Sequence, residues 1–371
     1  MVKRVLCLVS IMNTGGAETF LMKIYRKLDR TRYQMDFGVY SDQEGFYDEE
    51  IRSMGGKVHH LIPKTKNFSL YKKSLYDLVS KEKYEYVLRI TSNAAGFYDL
   101  KIAKEAGARV CIARSSNSSD GGSWRAKLIN FLSRILYQKY VDVKIAPSDL
   151  AAKYTFGKKA VAKGEVYFLN NGLDLDVYRF SQTGRDHVRK EFNIEGKFVV
   201  GHIGRFSHQK NHNFLIDIFA EIKQKNDDAV LLLVGDGELK GQIQNKVNQL
   251  GLDDSVIFAG IRKDVPALLS AMDVFVFPSF YEGMPNTVIE AQATGLPCVI
   301  SDSITKEAKV TDIIYYESLN KSVSHWIKQI SLHSISNKDR EGYAYILINA
   351  GYDIEFVLDK FINTIFNGFT S

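Results

Sequence analysis

Two successive sets of short apolar runs, each run followed by a helical pattern, leave few folds open to this chain of 371 residues. In the first half the runs are 5–11 (VLCLVSI), 86–91 (YVLRIT) and 110–114 (VCIAR), with amphipathic Lys-rich segments such as 69–83 between them. In the second half they are 198–204, 229–235, 255–260, 274–279 and 296–301, separated by helical patterns at 211–225, 238–250, 264–271 and 286–294. Strands apolar along their whole length, alternating with helices, belong to parallel sheets covered on both faces. The length exceeds what one ordinary core organises. The pattern therefore predicts an α/β chain of two Rossmann-like domains, 1–175 and 176–345. The stretch 172–196 is polar and separates the two strand sets. A final segment, 346–371, carries a helix with an apolar stripe at Ile354, Val357, Leu358, Phe361, Ile362 and Ile365. That stripe is expected to cross back and pack on the first domain.

Composition removes several classes. With 6 prolines and no low-complexity run, long disordered linkers are not expected. No stretch nears the roughly eighteen apolar residues of a membrane-spanning helix. Residues 1–12 have no cleavage-site pattern after their apolar run, so they read as a buried first strand and a cytoplasmic chain. Cys7, Cys111 and Cys298 each sit in an apolar run, which fits reduced buried thiols and neither a disulfide framework nor a zinc site. Charge is uneven. Residues 1–175 hold 29 Lys and Arg against 18 Asp and Glu, although the whole chain is only +6. The first half thus suits an anionic neighbour such as a membrane surface or a phosphate-bearing acceptor. No nucleic-acid recognition motif accompanies the charge.

Ligands of open α/β sheets bind beyond the C-terminal strand ends, so a two-domain chain of this kind is expected to work in a central cleft. After the first strand, Asn13-Thr14-Gly15-Gly16-Ala17-Glu18 opens a helical pattern. A Gly pair there lets backbone approach a ligand and points N–H groups at an anion, although a tight turn explains it equally well. G-x-G-x-x-G is absent, also around Gly235 and Gly237, which argues against a nicotinamide dehydrogenase. After the strand at 198–204, Arg205 and Lys210 are placed to reach a diphosphate, Arg as a planar fork and Lys as a point charge. The segment 278–301 puts Glu282 in a loop, then leads into a helix carrying Glu290, with Asn286 or Thr287 as N-cap. Carboxylates suit sugar hydroxyls because they accept from two neighbouring O–H groups.

Together, Gly15-Gly16-Ala17-Glu18, Gly204-Arg205 with Lys210-Asn211, Val234-Gly235-Asp236-Gly237, and Glu282 with Glu290 at their spacing resemble the family 4 glycosyltransferases. Asn171-Gly172-Leu173-Asp174 and Tyr352-Asp353-Ile354 resemble that family's domain-closing segment and crossover helix. The resemblance implies a GT-B fold and retaining transfer of a hexose-type sugar from a nucleotide-diphosphate donor, UDP-sugar foremost. It implies a saccharide or polyprenyl-diphosphate-linked saccharide acceptor in bacterial surface-polysaccharide assembly. By the same resemblance Arg205, Lys210 and Glu282 are the catalytic set. Donor binding draws on Gly15, Gly16, Gly204, Gly235, Ile261, Arg262, Gly283, Met284, Pro285, Asn286, Thr287, Val288 and Glu290. Asn93, Arg114 and Asn117 fall on the acceptor side. Where many relatives have His-Ser-His-Asn, this chain has Arg114-Ser115-Ser116-Asn117. Arg114 is then expected to meet an acceptor phosphate. No cofactor and no metal are expected, because the two cations supply the positive charge. Asp174-Leu175-Asp176 only mimics a metal-binding Asp-x-Asp. The alternative function is a non-catalytic nucleotide-sugar sensor or partner subunit. Residues 124–140 read as a basic amphipathic helix that either packs on the first domain or lies on an anionic membrane.

Overall fold

The computed structural model describes residues 2–116, 124–334 and 340–367, which fall into two units. One unit holds the described residues up to Gly172 and from Asp353 onward; the other runs Leu173–Tyr352.

In the first unit the parallel strands β1 (Lys3–Val9), β2 (Tyr33–Val39), β3 (Val58–His60), β4 (Tyr86–Thr91), β5 (Val110–Ser115), β6 (Val143–Ala146) and β7 (Val166–Phe168) pair in the order β3-β2-β1-β4-β5-β6-β7. Side chains alternate across the pleat. Val5, Cys7 and Val9 of β1 enter one core, and Leu6 and Leu8 enter the other. The helix Ile354–Phe366 closes the first of these cores. Its Phe361 meets Phe20 edge-on, and its Phe366 meets Tyr33 and Tyr86. Asp353 caps it by accepting from the Glu355 and Phe356 amides. Each large side chain it buries is worth roughly 1.5–3 kcal/mol, so the stripe, not helix propensity, holds it. Gly172 allows the chain to pass Ile354, whose Cδ1 lies 2.6 Å from where a Cβ would stand.

In the second unit β8 (Phe198–Ile203), β9 (Ala229–Val234), β10 (Val256–Gly260), β11 (Val274–Phe277), β12 (Cys298–Ser301) and β13 (Ile314–Glu317) are parallel in the order β10-β9-β8-β11-β12-β13. Again both faces are covered: Val199, Leu232 and Phe275 lie in one core, Val200, Leu231 and Val276 in the other. The two Rossmann-like units anticipated from the strand pattern are observed.

Several strands escaped the apolar-run criterion. β2 is buried along its length yet contains Gln34 and Asp36. Asp36 is tolerated because Arg4 holds it through two bonds of 2.8 and 2.7 Å, joined by the Tyr84 hydroxyl and the Lys57 amide. β3, β6, β7 and β13 are only three or four residues long. The polar stretch 172–196 is also more structured than it reads. It carries the helix Gln182–Glu191, whose Arg185 and Arg189 both bind Asp273 and the carbonyls ending the helix Val265–Ala271.

Candidate active site

In the second unit the strand order reverses between β8 and β11, and ligands of such sheets gather at that reversal. The loops leaving these two strands carry Arg205, Lys210 and Glu282. They are stitched together by Gln209, whose side chain donates to the Tyr281 carbonyl (2.9 Å) and whose own carbonyl accepts from the Phe280 amide (2.9 Å). The Asn211 amide group adds a bond to the Pro278 carbonyl, and His208 stacks on Phe280. Sequence reading did not single out Gln209 or Asn211 for this. Their partners lie about seventy residues away in sequence, and no local signal marks them.

Lys210 Nζ sits 2.7 Å from Glu282 Oε1, with the two side chains only 16% and 10% exposed. The ammonium also lies 4.4 Å from the centre of the Phe277 ring. Burial strengthens this pair and makes either member expensive to leave alone. Arg205 differs: its side chain is 75% exposed and reaches Glu238 at 3.3 Å. One cation is therefore preset and the other is open to solvent.

The helix Asn286–Ala293 follows Glu282 directly. Its N-cap is Pro285, not Asn286 or Thr287. Proline's ring offers no acceptor, so the N-cap residue itself makes no capping hydrogen bond. The positive end of the helix dipole is thus presented beside Gly283 and Met284. Glu290 is buried one turn inside, with Val288 on the core side. Gly204 lies under the Lys210 side chain, whose Cε is 3.2 Å from the Gly204 Cβ direction. Gly235 hydrogen-bonds to the Gly260 carbonyl, tying the ends of β9 and β10.

Other candidates take different surroundings. Ile261 is exposed, but Arg262 is clasped by Asp264 and Glu191 through four bonds of 2.6–2.9 Å. These carboxylates hold its pKa above the ordinary value. In the first unit, Gly15 precedes the helix Gly16–Lys27, whose first turn contains Glu18. Burial pushes the Glu18 carboxyl pKa up. Asn93 caps a short turn by accepting from the Ala95 amide. Arg114 is 1% exposed. Its guanidinium lies 3.8 Å over the Phe20 ring and donates to Asn171. Burial pulls its pKa down to about 9. The arginine expected to meet an acceptor phosphate is thus enclosed by Phe20 and Asn171. Asn117 lies outside the described residues. Asp176 of the Asp-x-Asp sequence pairs with Arg179 at 3.0 Å.

Two histidines behind Lys210 were not anticipated. His212 stacks on Phe206 (4.2 Å) and meets His202 edge-on (4.7 Å); both are buried. Burial, aided by the Lys210 charge, lowers the His212 pKa to about 4, and burial lowers His202 as well. An unfolded histidine titrates near 6.5. Between these values the unfolded chain binds more protons, so stability falls as pH drops from 6.5 toward 4. His212 alone is expected to remove about 3 kcal/mol between pH 7 and pH 4. Urea unfolding at the two pH values checks this. His212→Phe keeps the stacked ring and flattens that part of the slope; an unchanged slope contradicts the assignment.

Comparison with known proteins places the chain among relatives. The family model "Glycosyl transferases group 1" matches residues 197–325, which span both loops and the helix Asn286–Ala293. The chain is 33% identical over 368 residues to EpsF of Bacillus subtilis, named as a glycosyltransferase, covering 97% of this chain and 96% of that one. It is 31% identical over 292 residues, 72% of each chain, to the Escherichia coli UDP-Gal:alpha-D-GlcNAc-diphosphoundecaprenol alpha-1,3-galactosyltransferase. Its fold matches that of Anabaena HepE, crystallised with UDP and glucose, at a TM-score of 0.78 and 19% identity over 97% of this chain and 98% of HepE. With the Rossmann-like units, the site at the strand reversal and a relative matched end to end, the chain belongs to the group 1 glycosyltransferases of GT-B fold.

Proposed function

We propose that this glycosyltransferase moves a hexose-type sugar, with retention of anomeric configuration, from a UDP-sugar to a saccharide or polyprenyl-diphosphate-linked saccharide in bacterial surface-polysaccharide assembly. The observation that carries the reading is the buried Lys210–Glu282 pair at the β8/β11 reversal, just before the helix Asn286–Ala293. Arg205 and Lys210 hold the diphosphate, and Glu290 takes the ribose hydroxyls. Glu282 takes the donor sugar, with backbone N–H groups of Gly283, Met284, Asn286 and Thr287. The UDP of the HepE crystals and the UDP-galactose named for the E. coli relative favour the same nucleotide. The acceptor class follows the lipid-linked substrate named for that relative, and the pathway is supported by a capsular-polysaccharide relative in Staphylococcus aureus.

In this reaction the bond between the anomeric carbon and the β-phosphate oxygen breaks as negative charge grows on the departing UDP. Lys210 and the helix dipole are preset positive features for that charge, and Arg205 joins them from its solvent-exposed position. The acceptor hydroxyl attacks from the same face and gives its proton to the leaving phosphate oxygen. Because two side-chain cations carry the neutralisation, the reaction proceeds without a metal or other cofactor. The protein works in the cytoplasm, peripheral to the inner face of the plasma membrane.

A panel of UDP-, GDP- and ADP-sugars assayed for nucleotide release in the presence of a chelator tests this. UDP release at an undiminished rate is expected. Strict dependence on Mn²⁺ or Mg²⁺ contradicts the metal-free mechanism. Tight UDP binding with no release from any sugar favours the non-catalytic sensor instead.

A further inference from the structure

The helix Trp124–Tyr137 in the first unit is turned inside out relative to an ordinary core helix. Its buried residues are Asn130 and Ser133. Asn130 accepts from the Ala94 amide (2.8 Å) and donates to the Tyr154 carbonyl (3.0 Å), which also accepts from Arg134 (3.3 Å). These polar anchors fix the rotation of the helix. They leave Trp124, Leu128, Phe131, Leu132, Ile135 and Leu136 exposed, Trp124 by 68% and Ile135 by 62%. At about 100° per residue this apolar face spans an arc of roughly 140°. Contiguous exposed apolar surface of this kind marks an interaction site.

The surroundings say what covers it. Residues 124–141 contain no Asp or Glu but contain Arg125, Lys127, Arg134 and Lys139. Phe131 and Ile135 also wall a surface groove whose other side carries Lys153, Lys158, Lys159 and Lys163. Lys153 pairs with Asp149, and Glu165 at the groove's edge pairs with Lys144, so little acidic charge offsets the cluster. A second copy of the chain on this face would bring like charges together. An anionic bilayer meets both features at once: acyl chains accept the apolar arc while headgroups meet the lysines.

We infer that the helix Trp124–Tyr137 and the lysine groove beside it form a docking surface for anionic phospholipid membranes. The inference deepens the peripheral location proposed above and stands independently of the donor assignment.

The test is co-sedimentation of the purified full chain with vesicles of phosphatidylcholine alone or with about one-third phosphatidylglycerol, together with tryptophan emission. The chain has two tryptophans, and Trp326 is fully buried, so a blue shift on vesicle addition reports Trp124. Binding and a blue shift are expected with the anionic vesicles only. Leu132→Asp/Ile135→Asp abolishes both. Lys158→Gln/Lys159→Gln/Lys163→Gln weakens binding at least about 30-fold, given a factor of roughly five per lysine near the surface. All these positions are exposed, and an unchanged far-ultraviolet circular dichroism spectrum and melting temperature confirm that each variant is folded. No sedimentation with anionic vesicles, equal binding to neutral vesicles, or a lipid-free dimer dissolved by Ile135→Asp overturns the inference. Absence of UDP release from any donor bears on the reaction alone and leaves the vesicle result standing.

Discussion

Lys210→Ala lowers kcat by about 100- to 1000-fold, the range seen when one preorganised charge-stabilising donor is removed from an active site. The expectation rests on how Lys210 is held. Its ammonium is enclosed between Glu282 Oε1 at 2.7 Å and the Phe277 ring, so it meets growing charge on a leaving phosphate with no reorganisation. The same enclosure complicates the experiment. Removing one member of a buried ion pair can cost about 3–5 kcal/mol of stability, because the other charge loses its partner. Lost folding would then imitate lost catalysis. Lys210→Ala/Glu282→Gln separates the two, since a neutral amide in place of the carboxylate restores much of the stability and none of the rate. The quantities to compare are kcat well below the melting temperature and the melting temperature itself. Turnover close to wild type in a folded Lys210→Ala protein would end the proposed role.

Gly235→Ala should destabilise the second unit by about 2–4 kcal/mol and weaken UDP binding at least about tenfold. Gly235 has φ +135°, a conformation that L side chains rarely adopt. A Cβ there would also land on the Gly204 carbonyl, far inside van der Waals contact. Relief requires moving Gly204 and with it Arg205, because Gly204 and Phe206 are pinned to β9 and its loop by bonds to the Val234 and Asp236 carbonyls. The change therefore reaches the proposed diphosphate site through backbone alone. Gly241→Ala is the control: it lies in the helix Lys240–Gln249 with nothing near its Cβ position, and is expected to be neutral or slightly stabilising. Thermal melts and calorimetric UDP titrations give both quantities. If Gly235→Ala matched Gly241→Ala in both, the packing argument would fail.

Much of the fold was legible in the residue pattern because parallel strands covered on both faces are apolar at nearly every position. β1, β4, β5 and β8 to β12 all announce themselves this way, and so does the stripe of the helix Ile354–Phe366. β2 was hidden because its Asp36 reads as a surface residue. Only the approach of Arg4, Tyr84 and Lys57 from other elements makes that carboxylate affordable inside. In the candidate site, Lys210 and Glu282 were identifiable by residue type and by their position after strands. That they form one buried pair was not, since they are 72 residues apart and only the adjacency of β8 and β11 joins them.

Arg114 and the helix Trp124–Tyr137 mark the boundary between the two kinds of knowledge. Residue type made Arg114 look like an anion ligand and left the apolar side of the helix open to core packing or to a membrane surface. Phe20 and Asn171 enclose the arginine, while Asn130 and Ser133 turn the helix outward. Local composition decides which segments become strands and helices, because periodicity sets what each can bury. Which face is buried, and which charge finds a partner, depends on neighbours distant in sequence, and these are brought together only when the sheets assemble.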